Sequence, residues 1–258
     1  PEEEGFAQGV PLTKVTSFEA KESLAAVFSL PGRNELAEEY VLTVTREGMV
    51  KKSLLTELPG PSAYPFTLVK VNPGDALVAL AITRGEDELL LATAKGMSIH
   101  FSESEVRPMG LVAAGVAGIK LAAGDTVIGA EVVRPGEEIL LLSANGRGWR
   151  IPPEEFPLQG RYGQGTTATK LAPGDQLVGL LAGKRTQLGL VHFSRLAARQ
   201  IRLGDVAATK RMRAGAEAFA LKAGETVVGV SLVLDGLALW AKVKTKKQPA
   251  KRKRAKKA

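Results

Sequence analysis

Two short stretches of this sequence carry the residue types that bind phosphate. Gly160-Arg-Tyr-Gly-Gln-Gly165 and Lys210-Arg-Met-Arg-Ala-Gly215 combine glycine with arginine or lysine. Glycine lets backbone N–H groups approach an anion closely, and a guanidinium grips a phosphate through two parallel hydrogen bonds. The same glycines can serve a bend or a bulge with no ligand at all. The order G-x-x-G-x-G is not the dinucleotide fingerprint, and no P-loop follows it. At an offset of 50 residues both stretches align with Gly60-Pro-Ser-Ala-Tyr-Pro65 and Gly110-Leu-Val-Ala-Ala-Gly115, which lack the charges. Variation of this kind between copies of one unit marks the links as the place to look for function.

Other chemistry is sparse. His100 and His192 stand alone, with no second ligand at metal spacing, and read as strand residues. With no cysteine in the chain, disulfides and thiolate metal sites are excluded, which fits a reducing cytoplasm. Tyr40, Tyr64 and Tyr162 lack the surroundings of a nucleophile, and Trp149 and Trp240 fall in predicted strands, where packing is their expected role. No Ser/His/Asp set and no carboxylate pair stands out, so the chain is not expected to be an enzyme by itself, and no cofactor is expected.

The elements that would carry the links repeat. VAGIKLAAGDTVIGAEVV at 116–133 reads as an apolar run, a Gly-Asp turn and a second, alternating apolar run. VKVNPGDALVALAI, TKLAPGDQLVGLL and ALKAGETVVGVSL repeat it, placing Asp75, Asp125, Asp175 and Glu225 at intervals of 50 residues. A looser copy at 14–30 places Glu22 in the acidic position. Self-similarity at this period signals a propeller, a solenoid or a related array.

After each turn the pattern continues as short strands. Thr126–Val133 alternates and stops at Arg134-Pro135-Gly136. Glu138–Ser143 (EILLLS) is nearly continuous apolar sequence, as in a strand buried on both faces. Ala144-Asn145-Gly146 reads as an Asn-Gly hairpin turn, and Arg147–Ile151 returns. Val41–Thr45 with Met49–Leu54, and Glu88–Thr93 with Met97–Phe101, give two more such hairpins. The fourth hairpin, from Gln187–Phe193 past Arg195, lacks their Thr-x-x-Gly pattern. No window shows a capped helical period. The expectation is an all-β body over 1–241, with repeats near 5–58, 59–108, 109–158, 159–208 and 209–241. Four-stranded units of this length suit a propeller-like disc, which protects strand edges radially. Residues 242–258 are too charged and too poor in apolar side chains to order themselves, and are expected to form a disordered tail.

Charge is unevenly spread. Residues 242–257 hold ten Lys or Arg and no acid, so of the total +8 the preceding residues carry −2. Residues 1–142 have 12 basic and 20 acidic side chains, whereas 143–215 have 12 basic and 4 acidic. A basic sector and a basic tail on an acidic body suit a polyanion. No apolar run approaches the ~20 residues that span a bilayer, so no membrane partner is expected.

VLTVTREGMVKKSLLTEL (41–58), ITRGEDELLLATAKGMSIHFSESEVRPMG (82–110) and GVAGIKLAAGDTVIGAEVV (115–133) resemble the C-terminal domain of the DNA gyrase A subunit. The C-terminal domain of the topoisomerase IV A subunit is the near alternative. The resemblance covers roughly residues 5–234 and implies a β-pinwheel, a disc of four-stranded blades that exchange strands, with about five blades of the family's six present here. It implies a domain that binds, bends and wraps duplex DNA at its rim in support of negative supercoiling. Such a domain would be one part of an ATP-dependent type II topoisomerase, beside the A subunit's remainder and the B subunit, in the bacterial cytoplasm at the nucleoid. The family's first blade carries the box Q-[RK]-R-G-G-[RK]-G, and the resemblance places that blade upstream of Pro1. The nearest internal match retains Gln159, Arg161, Gly163 and Gly165, loses both flanking basic positions and one glycine, and as a degenerate box in a later blade is expected to contact the DNA backbone. The family's tail is often acidic, where this one is basic.

Two hypotheses follow. In the first, rim cations contact phosphates without reading sequence, through Lys51, Lys52, Arg147, Arg150, Arg161, Lys184, Arg185, Lys210, Arg211 and Arg213 together with the tail. In the second, the disc docks a protein on its acidic half.

Overall fold

The computed structural model describes Ala25, residues 39–59 and residues 65–232, and within them the chain is built from β-strands. In chain order these are β1 (Tyr40–Thr45), β2 (Met49–Leu54), β3 (Leu77–Thr83), β4 (Glu88–Thr93), β5 (Met97–Ser102), β6 (Val116–Ala117), β7 (Val127–Val133) and β8 (Glu138–Ser143). There follow β9 (Arg147–Ile151), β10 (Thr166–Thr167), β11 (Leu177–Gly183), β12 (Leu188–Phe193), β13 (Arg199–Arg202), β14 (Ala216–Glu217) and β15 (Val227–Leu232). A single 3₁₀ turn follows the return strand of every hairpin.

The strands form four antiparallel sheets, ordered β3-β1-β2-β6, β10-β5-β4-β7, β11-β8-β9-β14 and β13-β12-β15. Each sheet is centred on one hairpin. The strands that bracket a hairpin in sequence, however, pair with the hairpin before it. Thus β3 and β6 flank β4–β5 along the chain but pair with β1 and β2. In the same way β7 and β10 pair with β4 and β5, and β11 and β14 with β8 and β9. Strand exchange interlocks neighbouring blades. The long inner strands β3, β7, β11 and β15 pack on one another in turn, giving the propeller-like ring. The all-β expectation and the blade pattern therefore hold. Of the five expected blades four are described. The end of the last expected repeat beyond residue 232, the copy at 14–30 apart from Ala25 and the tail 242–258 lie outside the described residues.

The continuous apolar runs have a packing cause. Leu89 and Leu91 enter the core between the first two sheets, and Leu90 and Ala92 enter the next. Likewise Ile139 and Leu141 face one neighbour and Leu140 and Leu142 the other. Successive side chains of a strand point to opposite faces, so a blade clamped between two others needs apolar residues at every position.

The Gly-Asp beat is a lock. The Asp125 carboxylate accepts from Thr93 Oγ1 at 2.7 Å, from the Lys95 amide at 3.0 Å and from the Thr126 amide at 2.8 Å. Asp75 accepts from the Glu47 amide at 2.9 Å and Asp175 from the Asn145 amide at 3.1 Å. The turn that starts each repeat thereby holds the tip of the hairpin before it. Gly124, at φ +66°, supplies the left-handed residue the turn requires. Register shifts recur at Thr45, Thr93 and Phe193, where each hairpin meets this turn.

In the regular hairpins the Thr or Ser at the end of the first strand accepts from an amide four residues on, as Met49 N to Thr45 Oγ1 and Arg147 N to Ser143 Oγ, both at 3.2 Å. Phe193 takes that place in the fourth hairpin, which opens into the longer loop 194–198. There Glu225 accepts from Ser194 Oγ at 3.1 Å and from the Arg195 amide at 3.0 Å.

Candidate nucleic-acid interface

The structure divides the candidate cations into three groups. Arg147, Lys184, Arg185, Lys210 and Arg213 are exposed. Arg185 Nε lies 3.8 Å from Glu138, with 68% of its side chain exposed, so that ion pair leaves it available to solvent. Arg147 reaches the Gly215 carbonyl at 3.4 Å.

Lys51, Lys52 and Arg150 are drawn into the fold, a correction to their expected place on the rim. Lys51 is 2% exposed, and its ammonium donates to Ser53 Oγ, to the Leu68 carbonyl and to the Leu111 carbonyl at 2.6, 2.6 and 3.1 Å. Burial pulls its pKa below the usual lysine value, with Glu57 acting against that pull. Lys52 donates to the Glu103 carbonyl at 3.0 Å and lies 3.6 Å from that residue's carboxylate. Arg150 donates through Nε to the Val206 carbonyl at 2.8 Å and through a terminal nitrogen to both Glu138 oxygens at 2.5 and 2.6 Å.

These contacts form a row. Lys52, His100, Arg150 and Gln200 stand opposite Leu42, Leu90, Leu140 and Leu190 in their hairpins. In the first three the side chain meets a backbone carbonyl at the 3₁₀ turn of the next hairpin, His100 Nδ1 lying 3.0 Å from the Phe156 carbonyl. A polar side chain at mid-strand, Lys52, His100 or Arg150, thus staples the start of the next link.

Arg161 and Arg211 form the third group, half-buried at the link tips. A terminal nitrogen of Arg161 donates to the Ala117 carbonyl, and its backbone amide donates to Glu105 Oε2 at 2.8 Å. Arg211 donates to Thr166 Oγ1 at 2.7 Å and to the Thr167 carbonyl at 3.1 Å, and lies 5.9 Å from the Phe156 ring. Both fasten a link to the short edge strand beside it. Of the residues matching the box, Gln159 donates its backbone N–H to the His100 carbonyl at 2.7 Å, and its side-chain Oε1 is buried without a partner. At Gly165, φ is +72° and an added Cβ would lie 2.3 Å from the Ser98 carbonyl, so this glycine is demanded by the docking of β10 on β5. Gly163 is under no such demand, since a Cβ there would sit 3.5 Å from the nearest atom. Trp149 is 1% exposed and donates to the Arg213 carbonyl at 2.9 Å, a packing residue as expected.

One row escaped the sequence reading. Lys70, Lys120 and Lys170 are exposed, and their amides donate to the carbonyls of Ala113, Gly163 and Arg213. They stand beside successive links, and their 50-residue spacing was the available signal. Among the described residues no group of three or more His, Asp or Glu is placed to hold a metal. No helix among them is long and apolar enough to cross a membrane.

Interlocked four-stranded blades in a ring define a propeller of the pinwheel type. The family model "DNA gyrase C-terminal domain, beta-propeller" matches residues 39–84, 87–134 and 137–184, more than half of the chain, and the chain belongs to that family. The DNA gyrase A subunit of Salmonella typhimurium is 39% identical over 122 residues, 47% of this chain and 14% of that protein. Its counterpart in Mycobacterium bovis is 33% identical over 122 residues, 46% of this chain and 14% of its own length. The matched region is thus a small part of these relatives. A solved C-terminal domain of DNA topoisomerase IV superposes with a TM-score of 0.80 at 23% identity, covering 90% of this chain and 74% of that one. A solved gyrase A C-terminal domain gives 0.74 at 20% identity, covering 88% and 76%. These last two likenesses speak for the fold alone.

Proposed function

We propose that this chain is the duplex-DNA-binding and DNA-wrapping domain of a type IIA topoisomerase A subunit, contacting phosphates without reading sequence. The supporting observation is the surface of the sector 143–215, where Arg147, Lys184, Arg185, Lys210 and Arg213 all reach solvent amid few acids. Lys120 and Lys170 extend that surface along the links. Gln159, Arg161, Gly165 and Arg211 shape the links on which these contacts are mounted, Gly163 leaves its backbone open to a phosphate, and the tail adds further charge. A duplex bent along such a surface exchanges condensed counterions for protein cations, and the added contacts offset the cost of bending.

Within a gyrase this domain serves negative supercoiling, in assembly with the A subunit's remainder and the B subunit, at the bacterial nucleoid. The curated relatives named above are gyrase subunits, which favours gyrase over topoisomerase IV as the parent enzyme. A salt titration of duplex binding tests the reading. With about six to ten phosphates neutralised, log K falls against log salt with a slope of about −5 to −9. A slope near zero removes the proposal and leaves the protein-docking reading of the acidic half.

A further inference from the structure

In the three links that are fully described, the third residue is apolar and exposed. Val112, Tyr162 and Met212 occupy equivalent places 50 residues apart and are 67%, 55% and 60% exposed. Tyr162 and Met212 are also the two non-glycine residues with positive φ among those described, at 67° and 56°. Left-handed backbone crowds the Cβ of an L-residue against the following carbonyl, and glycine or asparagine would relieve most of that strain. Exposure of a large apolar side chain adds nothing to the stability of the isolated disc. Both penalties fall on the same residue in two successive links.

The links hold these tips firmly. The Tyr162 amide donates to the Gly118 carbonyl at 2.8 Å and the Met212 amide to the Ala168 carbonyl at 3.0 Å. Arg161 and Arg211, the residues just before them, turn their guanidinium groups inward onto the edge strands. The side chain left at the summit is therefore apolar, while Lys120, Lys170, Lys210 and Arg213 supply exposed charge around it.

Building on the DNA-binding reading, we propose that Tyr162 and Met212 are apolar contact points for duplex DNA. Their side chains lie against deoxyribose and the groove wall, between phosphates gripped by the neighbouring cations. A duplex edge alternates charged phosphate with apolar sugar, and an exposed apolar side chain with Lys120 beside Tyr162, and Lys170, Lys210 and Arg213 beside Met212, complements that alternation. Apolar side chains pressed into a groove are also a known means of stabilising bent DNA. Such contact is independent of counterion release, so it belongs to the salt-independent part of the affinity.

The test compares the full chain with Tyr162→Gly/Met212→Gly, titrated on one linear duplex across a range of salt. Glycine fits the left-handed backbone, so the variant keeps or gains thermal stability; Tyr162→Asn/Met212→Asn is a second variant that keeps a side chain. The expected result is an unchanged salt slope with affinity about tenfold lower at every salt concentration, equivalent to about 1.4 kcal/mol. Unchanged affinity overturns the proposal and leaves the tips for another partner. A changed slope also overturns it, by assigning the effect to displaced cations. If the unaltered chain itself shows no salt slope, the DNA-binding reading fails first, and the two failures are distinguished.

Discussion

Arg150 on β9 and Arg213 in the link after β13 carry the same guanidinium in the same basic sector, yet the fold uses them in opposite ways. Arg150 is 5% exposed, commits Nε to the Val206 carbonyl and commits a terminal nitrogen to Glu138. Arg213 is exposed, and its backbone carbonyl accepts from Trp149 and Lys170. One group staples the link from within; the other is presented by it. The same split separates Lys52 from Lys120 and Lys170. A cation whose register points it between two blades must bring its own partners, whereas one on a link meets water. Charge type therefore identifies neither role, and position relative to the pleat decides it.

The comparison breaks most visibly at Arg150. Arg150→Ala takes the donor from the Val206 carbonyl and leaves Glu138, 20% exposed, with only the more distant Arg185, so the loss is expected at the low end of the buried-pair range, about 3 kcal/mol. Chemical denaturation is expected to show that loss, while DNA binding by the folded fraction keeps its salt slope. A lowered slope without loss of stability would place Arg150 on the surface instead. Next in size is the lock itself. Asp125→Ala leaves Thr93 Oγ1 and the Lys95 amide without their acceptor and is expected to cost about 1–3 kcal/mol. An unchanged denaturation midpoint would show that the hairpin tip holds without the carboxylate.

A pH effect adds a half-buried acid to the contrast. Glu131 on β7 has no cation stapled to it. Desolvation, with Glu137 adding to it and Arg134 and a backbone hydrogen bond from Ala182 opposing, pushes its pKa from 4.5 up to about 8. Below pH 4.5 both folded and unfolded states hold the proton. Between 4.5 and about 8 the unfolded state releases it and the folded state retains it, so stability falls as pH rises through that window. Glu131→Gln removes the dependence. The melting-temperature gap in favour of the variant is expected to widen from pH 5 to pH 8, and parallel curves would refute the shift.

The smallest stability effect belongs to the exposed row. Lys170→Gln/Arg213→Gln is expected to change stability by less than about 0.5 kcal/mol. It is expected to make the DNA salt slope shallower by about 1.8, near 0.9 for each phosphate no longer neutralised. A steep loss of stability with an unchanged slope would move these two residues into the buried class.

Much of the fold could be read from the chain because its causes are local. A Gly-Asp turn at a fixed beat, a Thr-x-x-Gly hairpin and apolar runs such as EILLLS each name an element and its burial. The departure at Phe193 was legible too, since the residue that should close the turn was missing. The site was legible only in outline. The links could be found as the places where the copies differ, and the basic sector could be counted.

What the sequence determined by itself was the period, the strands and the sign of the charge in each stretch, because turns and alternation act over a few residues. Which cation faces water was decided by the tertiary structure. Lys52 and Arg150 are set apart from Lys120 and Arg213 chiefly by contacts made 50 or more residues away, with Glu103 and Val206, to which Arg150 adds Glu138 on the strand beside it. Those partners arrive through strands exchanged between blades, and no local pattern encodes that exchange. The left-handed tips at Tyr162 and Met212 arise in the same way, from amides drawn to Gly118 and Ala168 on a neighbouring segment. Long-range hydrogen bonding, absent from any short window of sequence, sets which groups the molecule hides and which it offers.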